Sequence, residues 1–141
     1  PTDNATLAVY RALDHKPTGT VAELPMQNPA TDGGAAWAYV EAPRMTYSSL
    51  DWHDRVNGYS GSFPADYLEN ADALNQFPSH AALATAARLK VRYFVLHTGN
   101  ANGFPQWTNA RVRAALARLP RGATASHHGS SWLVDLNPSR G

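Results

Sequence analysis

Ser79–His97 reads SHAALATAARLKVRYFVLH, and this one line joins the two kinds of element an α/β fold needs. Ser79 is a natural helix N-cap, because its hydroxyl can accept a hydrogen bond from a backbone N–H of the first turn. Behind it Ala82, Leu83, Ala86, Ala87 and Leu89 recur at helical spacing. The chain then runs straight into Arg92-Tyr-Phe-Val-Leu-His97. So continuous an apolar run is the pattern of a strand buried on both faces, in a sheet covered by helices.

Towards the N-terminus, Asn4–Leu13 predicts a helix whose apolar side is Leu7, Val9, Tyr10 and Leu13, stopped by Pro17 and Gly19. Thr20–Leu24 predicts a short strand closed by Pro25. Met26–Gly34, with Asn28-Pro29 and Asp32-Gly33-Gly34, predicts a loop. Ala35–Glu41 reads as a short helix ended before Pro43, and Arg44–Leu50 as a strand. Leu50–Tyr67 is a polar loop rich in aromatic residues, bent at Asn57-Gly58 and again at Gly61, which leads into a helix over Pro64–Phe77.

Towards the C-terminus, Thr98–Pro105 predicts a loop and Asn109–Leu119 an amphipathic helix with Val112, Ala115, Leu116 and Leu119 on its stripe. Ala123–His128 and Ser131–Leu136 predict a hairpin about Gly129-Ser130, its first arm polar. The expected fold is therefore α/β: a single domain over residues 1–141, with a small mixed β-sheet flanked by helices and a C-terminal β-hairpin.

A length of 141 residues suits one domain with a real core, and an apolar share of 43 % is ordinary for a globular chain. No run approaches the ~18 apolar residues of a membrane helix. With no cysteine, disulfides and thiolate zinc sites are excluded. The net charge of +1 hides an asymmetry: residues 1–80 carry ten acids and four bases, whereas residues 81–141 carry one acid and eight bases. A basic half can serve an anionic partner or can neutralise the acidic half within the fold. Nucleic acid is not expected, because the bases are not interleaved with an RNA-binding signature and no helix-turn-helix pattern is present. The start at Pro1 without an initiator Met suggests a piece excised from a longer protein.

Four groups of residues could carry chemistry. Gly58-Tyr59-Ser60-Gly61 lacks the second glycine a nucleophile elbow requires, since position 62 is Ser. The histidines show no metal-ligand spacing, and adjacent His127 and His128 on a strand face opposite ways, so neither a metal nor a cofactor is expected. Asp51, Asp54, Asp66 and Glu69 could supply a carboxylate pair, but Asp66 and Glu69 also suit a helix start. Trp37, Trp52, Tyr59, Tyr67, Trp107 and Trp132 could stack on a sugar or fill the core.

Three blocks recur in fixed order: Glu23-Leu24-Pro25; Trp52 with Val56-Asn57-Gly58-Tyr59-Ser60-Gly61, Phe63-Pro64 and Tyr67; and Val91-Arg92-Tyr93-Phe94-Val95-Leu96-His97. Together, over roughly residues 8–136, they resemble the C-terminal extracytoplasmic region of bacterial multi-spanning membrane glycosyltransferases of the C-type superfamily, similar to the dolichyl-phosphate-mannose protein mannosyltransferases. The chain departs from that pattern in three places. Asp51 stands where His precedes Trp, Asp54-Arg55 where Pro-Leu follows it, and Lys90 where Gly precedes Val-Arg-Tyr.

The resemblance implies a polyprenyl-phosphate sugar as donor and catalytic acids elsewhere in the parent, so the fragment itself is expected to be a non-catalytic accessory domain. It implies a soluble domain on the extracytoplasmic side of the cell membrane, with the parent's transmembrane part and a polyprenyl-phosphate sugar or glycan acceptor as partners. The implied binding residues are Trp52 and Tyr59 for stacking, and Asn57 and Ser60 for hydrogen bonds. His53 and Tyr67 complete that loop, and Arg92 and His97 come from the following strand. The alternative is a free-standing secreted protein that binds or hydrolyses carbohydrate.

Overall fold

The computed structural model describes residues 4–27, 40–48, 50–51, 53–57, 66–101 and 104–140. In chain order the elements are helix α1 (Asn4–Asp14), strand β1 (Thr20–Leu24), helices α2 (Ala42–Ser48), α3 (Tyr67–Leu74) and α4 (His80–Arg88), and strand β2 (Val91–His97). After these come β3 (Asn100–Ala101), β4 (Phe104–Pro105), α5 (Asn109–Leu116), β5 (Thr124–His128) and β6 (Ser131–Asp135). Four strands make a mixed sheet in the order β1-β2-β6-β5. β1 and β2 are parallel, with Glu23 beside Val95 and Leu24 beside Leu96. β6 runs antiparallel to both β2 and β5.

Side chains alternate across a strand, so each strand feeds two cores. Ala22, Leu24, Phe94, Leu96 and Val134 face α3, α4 and α5, against Tyr67, Ala71, Leu74, Ala82, Ala86, Val112 and Ala115. Val21, Tyr93, Val95 and Leu133 face the other way, against Val9, Tyr10 and Leu13 of α1, with Tyr47 of α2 packed at the rim. The sheet is thus sandwiched between helices, as the unbroken apolar run of β2 requires. Ser79 caps α4 by accepting from Ala82 N–H at 3.1 Å, and Thr108 caps α5 by accepting from Arg111 N–H at 3.1 Å.

The expected α/β class, mixed sheet and terminal hairpin are all present. The hairpin turns at Gly129-Ser130, with His128 opposite Ser131. Its first arm is polar because β5 is the sheet edge, with Thr124, Ala125 and His127 exposed.

One expectation is overturned. Arg44–Leu50 is not a strand; helix α2 occupies Ala42–Ser48, while most of the helix expected at Ala35–Glu41 lies outside the described residues. Pro43 sits in the first turn of α2, where a missing N–H costs no hydrogen bond. Helical spacing brings Glu41 and Arg44 together at i, i+3 and carries Tyr47 to 5.5 Å from the Tyr10 ring. Those contacts outweigh the β-propensity of Thr46 and Tyr47. Two smaller differences are that α5 ends at Leu116, and that β3 and β4 form a short ribbon inside the expected Thr98–Pro105 loop.

Candidate functional site

Glu23 lies near the carboxyl end of β1 among apolar neighbours and is fully buried. A carboxylate in that position must be hydrogen-bonded or paired to be tolerated. Alternation puts it on the α1 face, where Tyr10 OH donates to Oε1 at 2.7 Å. His97, at the end of the adjacent parallel strand, places Nε2 2.8 Å from the same oxygen. Arg55 Nε donates to Oε2 at 3.1 Å, and the Arg55 guanidinium is in turn held by Asp51 at 2.5 and 2.7 Å. Asp51 and Arg55 thus form a mutual, almost fully buried pair.

A second buried acid adjoins the first. Glu41 Oε1 accepts from Arg44 Nη1 at 2.8 Å, and its Oε2 accepts from the Gln27 backbone N–H at 3.0 Å. Arg44 also donates to the Pro25 carbonyl oxygen and to Gln106 Oε1, each at 2.8 Å. Asn57 links the two acids. Its Oδ1 accepts from the Glu23 N–H at 3.0 Å, while its Nδ2 donates to the Glu23 carbonyl oxygen at 2.9 Å and to Glu41 Oε1 at 3.2 Å.

The backbone just before Asn57 pairs with the outer edge of β1. Val21 N–H donates to the Asp54 carbonyl oxygen at 2.8 Å, and Val56 N–H to the Val21 carbonyl oxygen at 3.1 Å. The Asn57 side chain continues that ladder by one more step and closes the edge of the sheet.

Electrostatics drives the two acids apart. Burial acts most strongly on Glu23 and would raise its pKa, but the hydrogen bond from His97 and the charges of Arg55 and Arg44 outweigh it. The carboxyl is held well below its ordinary range. For Glu41 burial prevails, helped by the nearby Glu23 charge, and its pKa is raised despite Arg44 and the Gln27 N–H. Burial and the Arg44 charge push His97 below the ordinary imidazole value, against the pull of Glu23. A neutral His97 with its proton on Nε2 fits these contacts. It donates to Glu23 and accepts at Nδ1 from the Ser131 hydroxyl, 3.0 Å away. Ser131, His97 and Glu23 thus form a relay-like row, but Ser131 is only 2 % exposed and its hydroxyl is spent on the imidazole. The arrangement positions chain segments and does not present a nucleophile.

The expected binding residues that the structure describes are dispersed. Trp52, Tyr59 and Ser60 lie outside the described residues. Asn57, expected to offer hydrogen bonds outward, is fully buried and its amide is engaged inside the fold. His53 is half-buried and braces the end of α1 against the start of β1, its ring nitrogens 2.8 Å from the Leu13 carbonyl oxygen and 2.9 Å from that of Gly19. Tyr67 is buried and donates to the Gln27 carbonyl oxygen at 3.3 Å. Arg92 and His97 sit at opposite ends of β2, about 16 Å apart by the rise of a strand, so they do not share a site. Arg92 pairs instead with Asp135, at 3.1 Å.

Sequence reasoning missed Glu23, Glu41, Arg44 and Arg55. The available signal was an acid embedded in the apolar strand Val21-Ala22-Glu23-Leu24. Among the described residues no group of three or more His, Asp or Glu is placed to hold a metal ion, and no helix is long and apolar enough to cross a membrane. No protein-family model, curated protein or solved structure matches the chain.

Proposed function

We propose that this chain is a non-catalytic, acceptor-binding or scaffolding domain on the extracytoplasmic side of a membrane glycosyltransferase that uses a polyprenyl-phosphate sugar. The reading rests on the resemblance of the Asn-Gly-Tyr-Ser-Gly block and of the Val91–His97 strand. One observation carries it furthest: Asn57, the first residue of that block, is locked by its side chain to Glu23 and Glu41. Asn57, the described residue that precedes Gly58 in sequence, is anchored beside Glu23, near the carboxyl end of β1 in its parallel pairing with β2. Open α/β sheets characteristically bind their ligands there.

In this role Trp52 and Tyr59 supply stacking and Ser60 a hydrogen bond, while the buried network holds the base of the loop. Titrating the isotope-labelled chain with a short-chain polyprenyl-phosphate sugar, and separately with oligosaccharides, tests it by NMR. Saturable shifts within residues 52–63, abolished in the W52A/Y59A double variant, are expected. No shifts, or shifts confined to other surfaces, would reject the proposed contact loop.

A further inference from the structure

At the other end of the sheet, where β1 and β2 begin and the chain leaves β6, lies a groove of about 820 Å³. Its walls include Gly19, Lys90, Arg92, Asn137 and Arg140. That volume is within the range of small-ligand sites, roughly 300–1,000 Å³. We propose that this groove binds a phosphate group, as a free phosphate ester or as a phospholipid headgroup. The inference does not depend on the function proposed above, because it uses neither the Asn57 anchor nor residues 52–63.

Three cations line the groove, and they differ in how they are held. Arg92 is pre-set: its Nε and Nη2 meet the two Asp135 oxygens at 3.1 and 3.3 Å, and Nη2 also donates to the Asn137 carbonyl oxygen at 3.0 Å. Its guanidinium carbon lies 5.0 Å from the centroid of the Tyr93 ring. Its Nη1 has no hydrogen-bond partner among the described residues, which leaves that edge of the fork for an incoming oxygen. Lys90 and Arg140 are exposed and form no ion pair among the described residues. Asp135 is already engaged by Arg92, so the groove keeps an excess of positive charge. Charge-assisted bonds from a fixed guanidinium and two exposed cations suit a phosphate.

The backbone around the groove is also specialised. Lys90 has φ of +60°, a left-handed conformation that L side chains adopt only at a cost. A glycine would relieve that strain, yet a lysine occupies the wall of a basic groove. Lys90 directly follows the C-cap of α4, where a left-handed residue commonly ends a helix and glycine is usual, and here that position puts a lysine in the groove wall. Gly19 is the complementary case. A Cβ there would come within 2.8 Å of Arg92 Cβ and 2.9 Å of Arg92 Cδ, so only glycine lets the entry to β1 lie against the arginine stem.

The test uses the whole chain and two kinds of probe. Inorganic phosphate and pyrophosphate, titrated at constant ionic strength set with sodium chloride, are expected to give saturable NMR shifts at Thr18, Gly19, Lys90, Arg92 and Arg140. Vesicles of phosphatidylcholine with and without phosphatidylglycerol report on the headgroup source by co-sedimentation. Shifts without sedimentation assign the site to soluble phosphates, and sedimentation only with phosphatidylglycerol assigns it to lipid. In either case the K90G/R140Q variant should bind about tenfold more weakly or worse. An amide spectrum of the variant that matches wild type away from the groove separates that loss from unfolding. Absence of both signals, shifts that follow ionic strength alone, or undiminished binding by the variant would overturn the proposal.

Discussion

Asn57 does with one amide what a strand does with its backbone. It returns both an acceptor and a donor to Glu23, on the edge of β1 where Asp54 and Val56 have already paired with Val21. Replacing it by alanine removes the acceptor of the buried Glu23 N–H, the shorter of the two side-chain hydrogen bonds to the Glu23 carbonyl oxygen (2.9 Å, against 3.5 Å from Arg44 Nη1), and a donor to Glu41. Each buried unsatisfied group costs roughly 1–3 kcal/mol. N57A is therefore expected to lower unfolding free energy by about 3 kcal/mol, measured by urea denaturation. Lys90 provides the opposite case. Relief of the left-handed lysine, offset by the greater entropy of an unfolded glycine, should make K90G more stable by about 0.5–1 kcal/mol. An unchanged or lower denaturation midpoint would show that the lysine backbone is not strained.

Among the elements, α1 and the C-terminal hairpin illustrate how a long-range contact is secured. Gly129 turns the hairpin with φ of +63°, and a Cβ at that position would fall 2.1 Å from the Ala5 carbonyl oxygen at the start of α1. The obstacle is backbone and cannot rotate aside. G129A should thus combine left-handed strain with displacement of α1, costing about 2–4 kcal/mol, visible as a lowered Tm and as amide shifts along both α1 and β5. The elements also divide by how they could be read. α4, β2 and the hairpin were legible because cap, period and turn residues agree locally. Helix α2 was not, since Thr46 and Tyr47 favour a strand in isolation. What makes the segment helical is the Glu41–Arg44 pair and the packing of Tyr47 on Tyr10.

At the scale of the whole molecule, the buried charge network ties α1, β1, α2, the 51–57 segment and β2 into one unit, so its protonation is linked to global stability. The folded-state pKa of His97 is lowered, so its contribution is complete above the ordinary imidazole pKa and is lost as pH falls through that value. Glu23, also lowered, keeps its contribution until the pH drops below the ordinary carboxylate range. Glu41 is raised and has the opposite sign: its contribution is present at low pH and lost as pH rises through its folded value. His128 is lowered too, by burial first, and adds to the loss of stability on acidification. Comparing wild type with H97Q cancels the Glu41 and His128 contributions. Between pH 7.5 and 5.5, wild-type stability should fall more steeply than that of the variant. Parallel curves in chemical denaturation would remove His97 from the linkage.

The sequence by itself determined the α/β class, the double-faced burial of β2, the caps of α4 and the closing hairpin. Each of these follows from periodicity and turn chemistry acting over a few neighbouring residues. Only the tertiary structure decided which polar residues matter. Glu23, the Glu41–Arg44 pair and Arg55 come from three separate segments, and Arg92 and His97, five positions apart on one strand, are directed to opposite ends of the sheet. Alternation and pairing register set where a buried charge finds its partner, and no local pattern encodes a hydrogen bond between residues more than thirty positions apart, such as Glu23 and Asn57.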